Sequence, residues 1–170
     1  MRDNLAQEVK LSLVEAGGRT SQEMGMGRIV GQVLVYLYLT EGDCSLDKIE
    51  EEIELSKASA SIAARQLEKL GLVKRSWKKG DRKNYYRTAD NIETALKNGL
   101  ISFMLQKIQT VGEELDLAIR LLSDESRGGE TGIEREFVRS RVERVKSLSD
   151  GIVGVLENPF IKLFGKQQTN

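Results

Sequence analysis

Residues 56–88, SKASASIAARQLEKLGLVKRSWKKGDRKNYYRT, change period halfway along. From Ser56 to Leu70, Ala60, Ala64 and Leu67 recur at steps of four and three, the repeat of one helix face. Ser56 suits an N-cap, and Gly71 suits a stop. Beyond Gly71 the helical repeat is lost. Residues 72–77 and 84–88 read as two strands, joined by a turn over Lys78–Lys83 centred on Gly80-Asp81.

The preceding residues extend the pattern. Ser45 is a second N-cap, and Leu46, Ile49 and Ile53 form one apolar face. Two short helices joined by about three residues have the spacing of a helix-turn-helix. Further upstream, Leu5, Val9 and Leu13 predict a helix over residues 3–16, ended by Gly17-Gly18. Residues 21–40 predict a second helix, apolar on most sides through Ile29, Val30, Val33, Leu34 and Leu37, and therefore buried. Gly27 and Gly31 are expected to let it pack closely. The stretch Gly25–Gly31 lacks the preceding strand of a dinucleotide loop. Met24 and Met26 read as core or interface filler. Glu41-Gly42-Asp43 is a turn.

Downstream, the helical repeat returns with Ile92, Leu96, Leu100, Phe103, Val111, Leu115 and Leu122. A helix of about 30 residues would span about 45 Å. Asp124–Thr131 reads as a polar loop. A last helix over Gly132–Glu157 carries Val138, Val142, Val145, Ser149, Ile152 and Leu156, the seam of a coiled-coil-like contact. The fold class is thus mainly α with a small β-hairpin wing: a winged helix-turn-helix plus long dimerisation helices.

Composition removes several function classes. The 170 residues include no His, so imidazole acid–base pairs, triads and metal sites are excluded. One cysteine, Cys44, makes neither an internal disulfide nor a zinc site, which suits a reducing cytoplasm. Its neighbour Asp43 disfavours a sensor thiol. No enzyme activity and no cofactor are expected. The start, from Met1, is polar and unlike a secretory signal. The longest uncharged apolar run, Ile29–Thr40, is twelve residues against the about 20 needed to cross a bilayer, so no membrane partner is expected.

Charge is the informative quantity. Twenty-six basic and 26 acidic side chains cancel over the chain. Residues 56–88 hold ten basic and two acidic ones, a local +8, which leaves −8 elsewhere. Residues 45–55 alone carry −4. A basic cluster on a candidate helix and hairpin is the electrostatic footprint of phosphate binding. The acidic remainder is expected to stay clear of the phosphates, which limits nonspecific attraction.

Four stretches carry a family resemblance: Ser45–Ile49 (SLDKI), Leu55–Ser61 (LSKASAS), Leu67–Val73 (LEKLGLV) and Trp77–Tyr86 (WKKGDRKNYY). Together they resemble a MarR-type winged helix-turn-helix regulator. The wing GDRKNYY, with Gly27-Arg28-Ile29 before it, most resembles the GbsR-type branch. The resemblance covers roughly residues 20–90. It implies a DNA-binding domain there, and a helical dimerisation region over residues 1–19 and 91–170.

Site residues are read both ways. With Ala60, Ala64 and Leu67 facing inward, Lys57, Ser59, Ser61, Ile62 and Arg65, together with the capping Ser56, fall on the outward side. Short hydroxyls, an apolar group for thymine methyls and an Arg suit a recognition helix in a major groove. In the wing, Asp81 is expected to hold the guanidinium of Arg82 for the minor groove, the part the resemblance implies for such a pair. Lys78, Lys79 and Lys83 would contact phosphates. Trp77, Tyr85 and Tyr86 are expected to pack the hairpin onto the domain.

The expected partners are double-stranded DNA and a second copy of the chain, with room for a small-molecule effector of unidentified chemistry. The branch resemblance implies a choline or glycine-betaine-like effector, which needs an aromatic cage. No spacing brings Tyr36, Tyr38, Phe103, Phe137, Phe160 and Phe164 together, so that ligand is not assigned. The alternative function is a winged-helix interaction module that docks an acidic protein.

Overall fold

The computed structural model describes residues 2–124 and 132–159. In chain order it contains α1 (Arg2–Glu23), α2 (Arg28–Tyr38), β1 (Cys44–Ser45), α3 (Leu46–Ile53), α4 (Lys57–Lys69), β2 (Val73–Trp77), β3 (Asn84–Thr88), α5 (Ile92–Ser123) and α6 (Gly132–Glu157). The strands form one antiparallel sheet in the order β1-β3-β2. The mainly helical class with a small hairpin is as expected. Residues 125–131 of the expected polar loop lie outside the described residues, as do Phe160 and Phe164. The described residues form two units that divide at Gly99–Leu100, inside α5.

In the first unit, α1 does not stop at Gly17-Gly18 but continues to Glu23. The two glycines serve a helix crossing instead. A Cβ on Gly17 would overlap Val35 Cγ2 of α2, and one on Gly31 would overlap the carbonyl oxygen of Gly17. The missing side chains let α1 and α2 touch backbone to backbone. That gain outweighs the weak helix propensity of glycine. The second helix accordingly begins at Arg28 rather than residue 21. Gly31 packs closely, as expected, but Gly27 does not, since nothing lies within 4 Å of its would-be Cβ. It takes φ 96° at the start of α2, a left-handed position that favours glycine. Ser21 Oγ donates to the Gly27 carbonyl at 2.8 Å, and the Gln22 side chain accepts from Arg28 N at 3.2 Å. The second bond satisfies an N–H that a helix start leaves open, and the first ties the α1 end to the turn. Met24 is largely exposed and fills no core.

The core gathers Val14 from α1, Val30, Val33, Tyr36 and Leu37 from α2, Ile49 from α3, and Ala60, Ala63, Ala64 and Leu67 from α4. Val73 and Tyr86 close it from the hairpin. Burying a side chain such as Leu67 contributes about 1.5–3 kcal/mol relative to leaving it in water. Cys44 lies in β1, paired opposite Tyr86, and not in a loop. It is 1% exposed, and burial pushes its thiol pKa up. Tyr36, whose hydroxyl lies 3.6 Å from Cys44 Sγ, is likewise raised by burial. Lys10 ties α1 to this region. Its Nζ donates to Thr40 Oγ1 at 2.8 Å, reaches Glu52 at 3.3 Å and sits 4.0 Å from the centre of the Tyr36 ring.

The second unit is an antiparallel pair made by α5 beyond Gly99 and α6. Lys146 reaches Asp116 at 3.6 Å, and Arg135 Nε donates to the Leu122 carbonyl at 2.8 Å. Ser149 is the buried member of the α6 seam and faces Gly112, whereas Val138, Val145 and Ile152 remain substantially exposed. Two helices alone leave much of their apolar surface in water.

Candidate nucleic-acid interface

The helix-turn-helix is set by its caps. Ser45 Oγ accepts from Lys48 N at 3.3 Å, and Ser56 Oγ accepts from Ser59 N at 3.2 Å. Between them Glu54, at φ 52°, turns the chain from α3 into α4. Ala60, Ala64 and Leu67 face the core, and Ala63 joins them. The three alanines among them seat α4 closely against its neighbours. The opposite stripe, Ala58, Ile62, Arg65 and Lys69, is exposed, with Ile62 at 59%.

The outward residues of α4 divide by what already holds them. Ser56 Oγ also donates to Ser59 Oγ at 2.9 Å, so both hydroxyls belong to the cap. Lys57 is ion-paired with Asp47 of α3. Ser61 is half-buried. Ile62 is open to solvent, and Arg65 has no ion pair or hydrogen bond among the described residues. Ala58 and Lys69 were missed in the sequence; continuing the 62–65 stripe by four residues in each direction finds both.

In the wing, β2 and β3 pair from Val73 opposite Thr88 to Trp77 opposite Asn84. Asp81 does not hold Arg82. Its carboxylate accepts from Lys83 N at 2.9 Å and from the Tyr85 hydroxyl at 2.7 Å. An aspartate in a turn readily bonds to the backbone two residues on, and that geometry points it away from its neighbour. The Tyr85 hydroxyl first, and the Lys83 N–H second, hold the Asp81 carboxyl below its usual range. Asp81 therefore stiffens the turn and leaves the Arg82 side chain exposed. Lys78 lies 4.2 Å from the Tyr85 ring centre. Tyr86 is buried as expected and Tyr85 half-buried, but Trp77 is not packed: it is 69% exposed. It stands at the end of β2, beyond the reach of the core, where Arg75 lies over its ring.

The ten cations of residues 56–88 separate into two sets. Lys57 and Lys83 share Asp47; Lys74 and Arg87 share Asp90; Arg75 pairs with Glu68. Arg87 also reaches Asp43 at 3.6 Å. Arg65, Lys69, Lys78, Lys79 and Arg82 have no carboxylate partner among the described residues. These five lie on the outer stripe of α4 and in the wing turn. The acidic remainder therefore does not all stay clear of the basic segment, because Asp43, Asp47 and Asp90 fold onto its surface. The Asp47 carboxyl is held at about 2 by Lys57 and then Lys83, and Asp47 in turn pushes Lys83 up. Lys74 and then Arg87 hold Asp90 low.

A separate open pocket of about 300 Å³ lies between α2 and the first turns of α5, lined by Leu34, Val35, Tyr38, Ile92, Glu93 and Leu96. Its walls are almost wholly apolar. Tyr36 is not part of it, being enclosed in the core.

Residues 32–85 match the MarR family. A solved structure described as that of a transcriptional regulator is 20% identical, over 86% of this chain and 92% of that one, with a TM-score of 0.64. No curated protein matches in sequence. Among the described residues no helix is long and apolar enough to cross a membrane. The matched stretch runs from within α2 into β3 and includes α3, α4 and β2, so the chain carries a MarR-like winged helix-turn-helix.

Proposed function

We propose that the chain is a sequence-specific, DNA-binding transcriptional regulator of the GbsR-type branch, acting as a homodimer on a pseudo-palindromic operator. The observation that carries this reading is the position of the five cations without a carboxylate partner among the described residues, on the outer stripe of α4 and in the wing turn, with Ile62 one turn before Arg65 on that stripe. Residues 20–90 form the DNA-binding domain. Ser56, Lys57, Ser59, Ser61, Ile62 and Arg65 approach the major groove, and Lys78, Lys79, Arg82 and Lys83 the adjacent backbone and minor groove. DNA must displace Asp47 to use Lys57 and Lys83.

Residues 1–19 and 91–170 supply the dimer contact. The stripe Leu5, Val9 and Leu13 on α1 is exposed, and so are Val138, Val145 and Ile152 on α6. A second copy would cover them and place half-sites about one helical turn apart. A small-molecule effector acts only if it binds one spacing of the two recognition helices better than another. The regulator works in the cytoplasm, where its DNA lies, and performs no chemistry.

Binding of labelled duplexes, followed by anisotropy, tests the reading on protein shown to be dimeric by sedimentation. A folded dimer that binds no duplex at low salt refutes it, and capture of an acidic protein by the same surface would support the interaction-module alternative. Arg82→Ala should weaken binding about tenfold and leave the dimer intact. Substituting Ser59 or Ser61 should change which sequences bind; a uniform loss would remove them from base reading.

A further inference from the structure

Trp77 is a large apolar side chain placed where the fold has no use for it. Side chains alternate across a strand, so Val73, Arg75 and Trp77 share one face of β2. Val73 is buried in the core with Ala63, Ala64 and Leu67 of α4. Arg75 is ion-paired with Glu68 of α4 at 3.6 Å. The face that carries Trp77 is therefore the face turned towards the candidate recognition helix, extended past the core. There the indole is 69% exposed. Its inner neighbour Arg75 lies 5.3 Å from the ring centre, and Arg75 is itself held by Glu68. Lys78, Lys79 and Arg82 follow it in the turn, without carboxylate partners among the described residues.

We propose that Trp77 is a DNA-backbone contact of the wing. Resting on the DNA-binding reading above, this assigns the indole to the sugar–phosphate strand that passes between α4 and the wing. The ring would cover a deoxyribose, and its N–H would donate to a phosphate oxygen. Arg75 backs the ring and so limits the freedom lost on binding. Cations on both sides of the indole favour a polyanion as the occupant over an apolar protein surface. Bases in an intact duplex are stacked and out of reach, so the contact is independent of sequence.

The chain contains a single tryptophan, so its emission reports this one site. The probe is a random-sequence duplex of about 30 base pairs at low salt, with binding followed independently by anisotropy of a label on the DNA. Saturation with duplex should lower the acrylamide quenching constant of the protein by about half or more, since the now open indole becomes covered. Trp77→Ala should weaken operator-like and random duplexes alike, about five- to tenfold, without changing the salt slope, because no charge is lost. Trp77→Phe, which keeps a ring but no N–H, should fall between. Since the side chain is exposed, both variants should keep the wild-type circular dichroism and sedimentation.

Unchanged quenching on a duplex that demonstrably binds would overturn the assignment and leave the DNA-binding reading standing. An indole already shielded in the DNA-free dimer, with Trp77→Ala loosening that dimer, would make Trp77 a contact between subunits and overturn it equally. No duplex binding at all would bring down both readings.

Discussion

Asp47→Asn is the substitution whose effect on DNA binding the geometry defines best. One carboxylate holds Lys57 at the start of α4 and Lys83 at the base of the wing. With Asp47 in place, five cations of the basic segment have no carboxylate partner among the described residues. If each meets one phosphate, the slope of log K against log salt is about −4.5 per subunit, at about −0.9 per contact. Releasing two lysines takes it to about −6.3. A threefold rise in salt would then cost the variant about seven times more affinity than it costs the wild type, while the variant binds more tightly at low salt. Anisotropy titrations of a random-sequence duplex between about 50 and 150 mM salt read this directly. Glu51→Gln is the control: it removes the same charge from α3, where Glu51 is exposed, and releases neither lysine. Parallel slopes for Asp47→Asn and wild type would refute the argument, because the two lysines would then either already sit on phosphates in the wild-type complex or lie too far away to reach them.

Two further perturbations test the frame beneath the site. Gly31→Ala should destabilise the first unit by about 2 kcal/mol, since overpacking costs up to about 3 and better helix propensity returns about 1. The new Cβ would meet the Gly17 backbone and stand 2.5 Å from Ser21 Cβ. Gly112→Ala, where the new Cβ would stand 3.8 Å from Ser149 Oγ, should instead stabilise by up to about 1 kcal/mol. Melting temperatures that move in the same direction for both would break the crossing argument. Stability should also be flat from about pH 5 to 7, because the chain has no His and, among the described residues, the shifted carboxylates are shifted down. Asp47, Asp81 and Asp90 sit below their ordinary 3.8. Glu52 sits below 4.5, because Lys10, the Tyr36 hydroxyl and Lys48 together outweigh the upward push of burial. Depressed carboxylates contribute stability that is present above the unfolded values and is lost as pH falls through the folded ones, down to about 2 for Asp47. A step in melting temperature between pH 5 and 7 would contradict this.

What the sequence made legible was local. Ser45 and Ser56 act through a hydroxyl and an N–H three residues on, so their capping follows from spacing alone. The inward face of α4 follows from period, and the hairpin from its turn and aromatics. What escaped was decided by distant partners. Gly17-Gly18 has the form of a helix stop, and only the approach of Gly31 and Val35 turns it into a crossing. Two residues of β1 are too few to show a period, and they became a strand because Tyr85 and Tyr86 stood opposite. Trp77 and Tyr86 are alike in composition terms, but the register sends one into the core and the other past its edge. Asp81 and Arg82 are neighbours in sequence, yet the turn directs the carboxylate to Lys83 and Tyr85.

The cancellation of charge is the clearest case of a distant decision. By sequence, the chain is a +8 segment within a −8 remainder, and the natural inference is an open basic face. Folding brings Asp43 and Asp47 from before the segment and Asp90 from after it onto that face. They neutralise lysines and arginines along its flank and leave Arg65, Lys69, Lys78, Lys79 and Arg82 without a carboxylate partner among the described residues. For the DNA-binding reading proposed above, this arrangement matters more than the total. Nonspecific affinity rises with every cation that can meet a phosphate, whereas discrimination depends on the contacts made only at the right sequence. A carboxylate that a phosphate must displace weakens every encounter equally. It lowers the nonspecific background and leaves the contacts of Ile62 and Arg65 with base edges, where they form, untouched. In this reading Asp47 lowers specific and nonspecific affinity by the same factor, so it leaves their ratio unchanged and sets instead how tightly, and with what salt dependence, the surface holds any duplex; Asp47 belongs to the DNA-binding surface as much as the cations of α4.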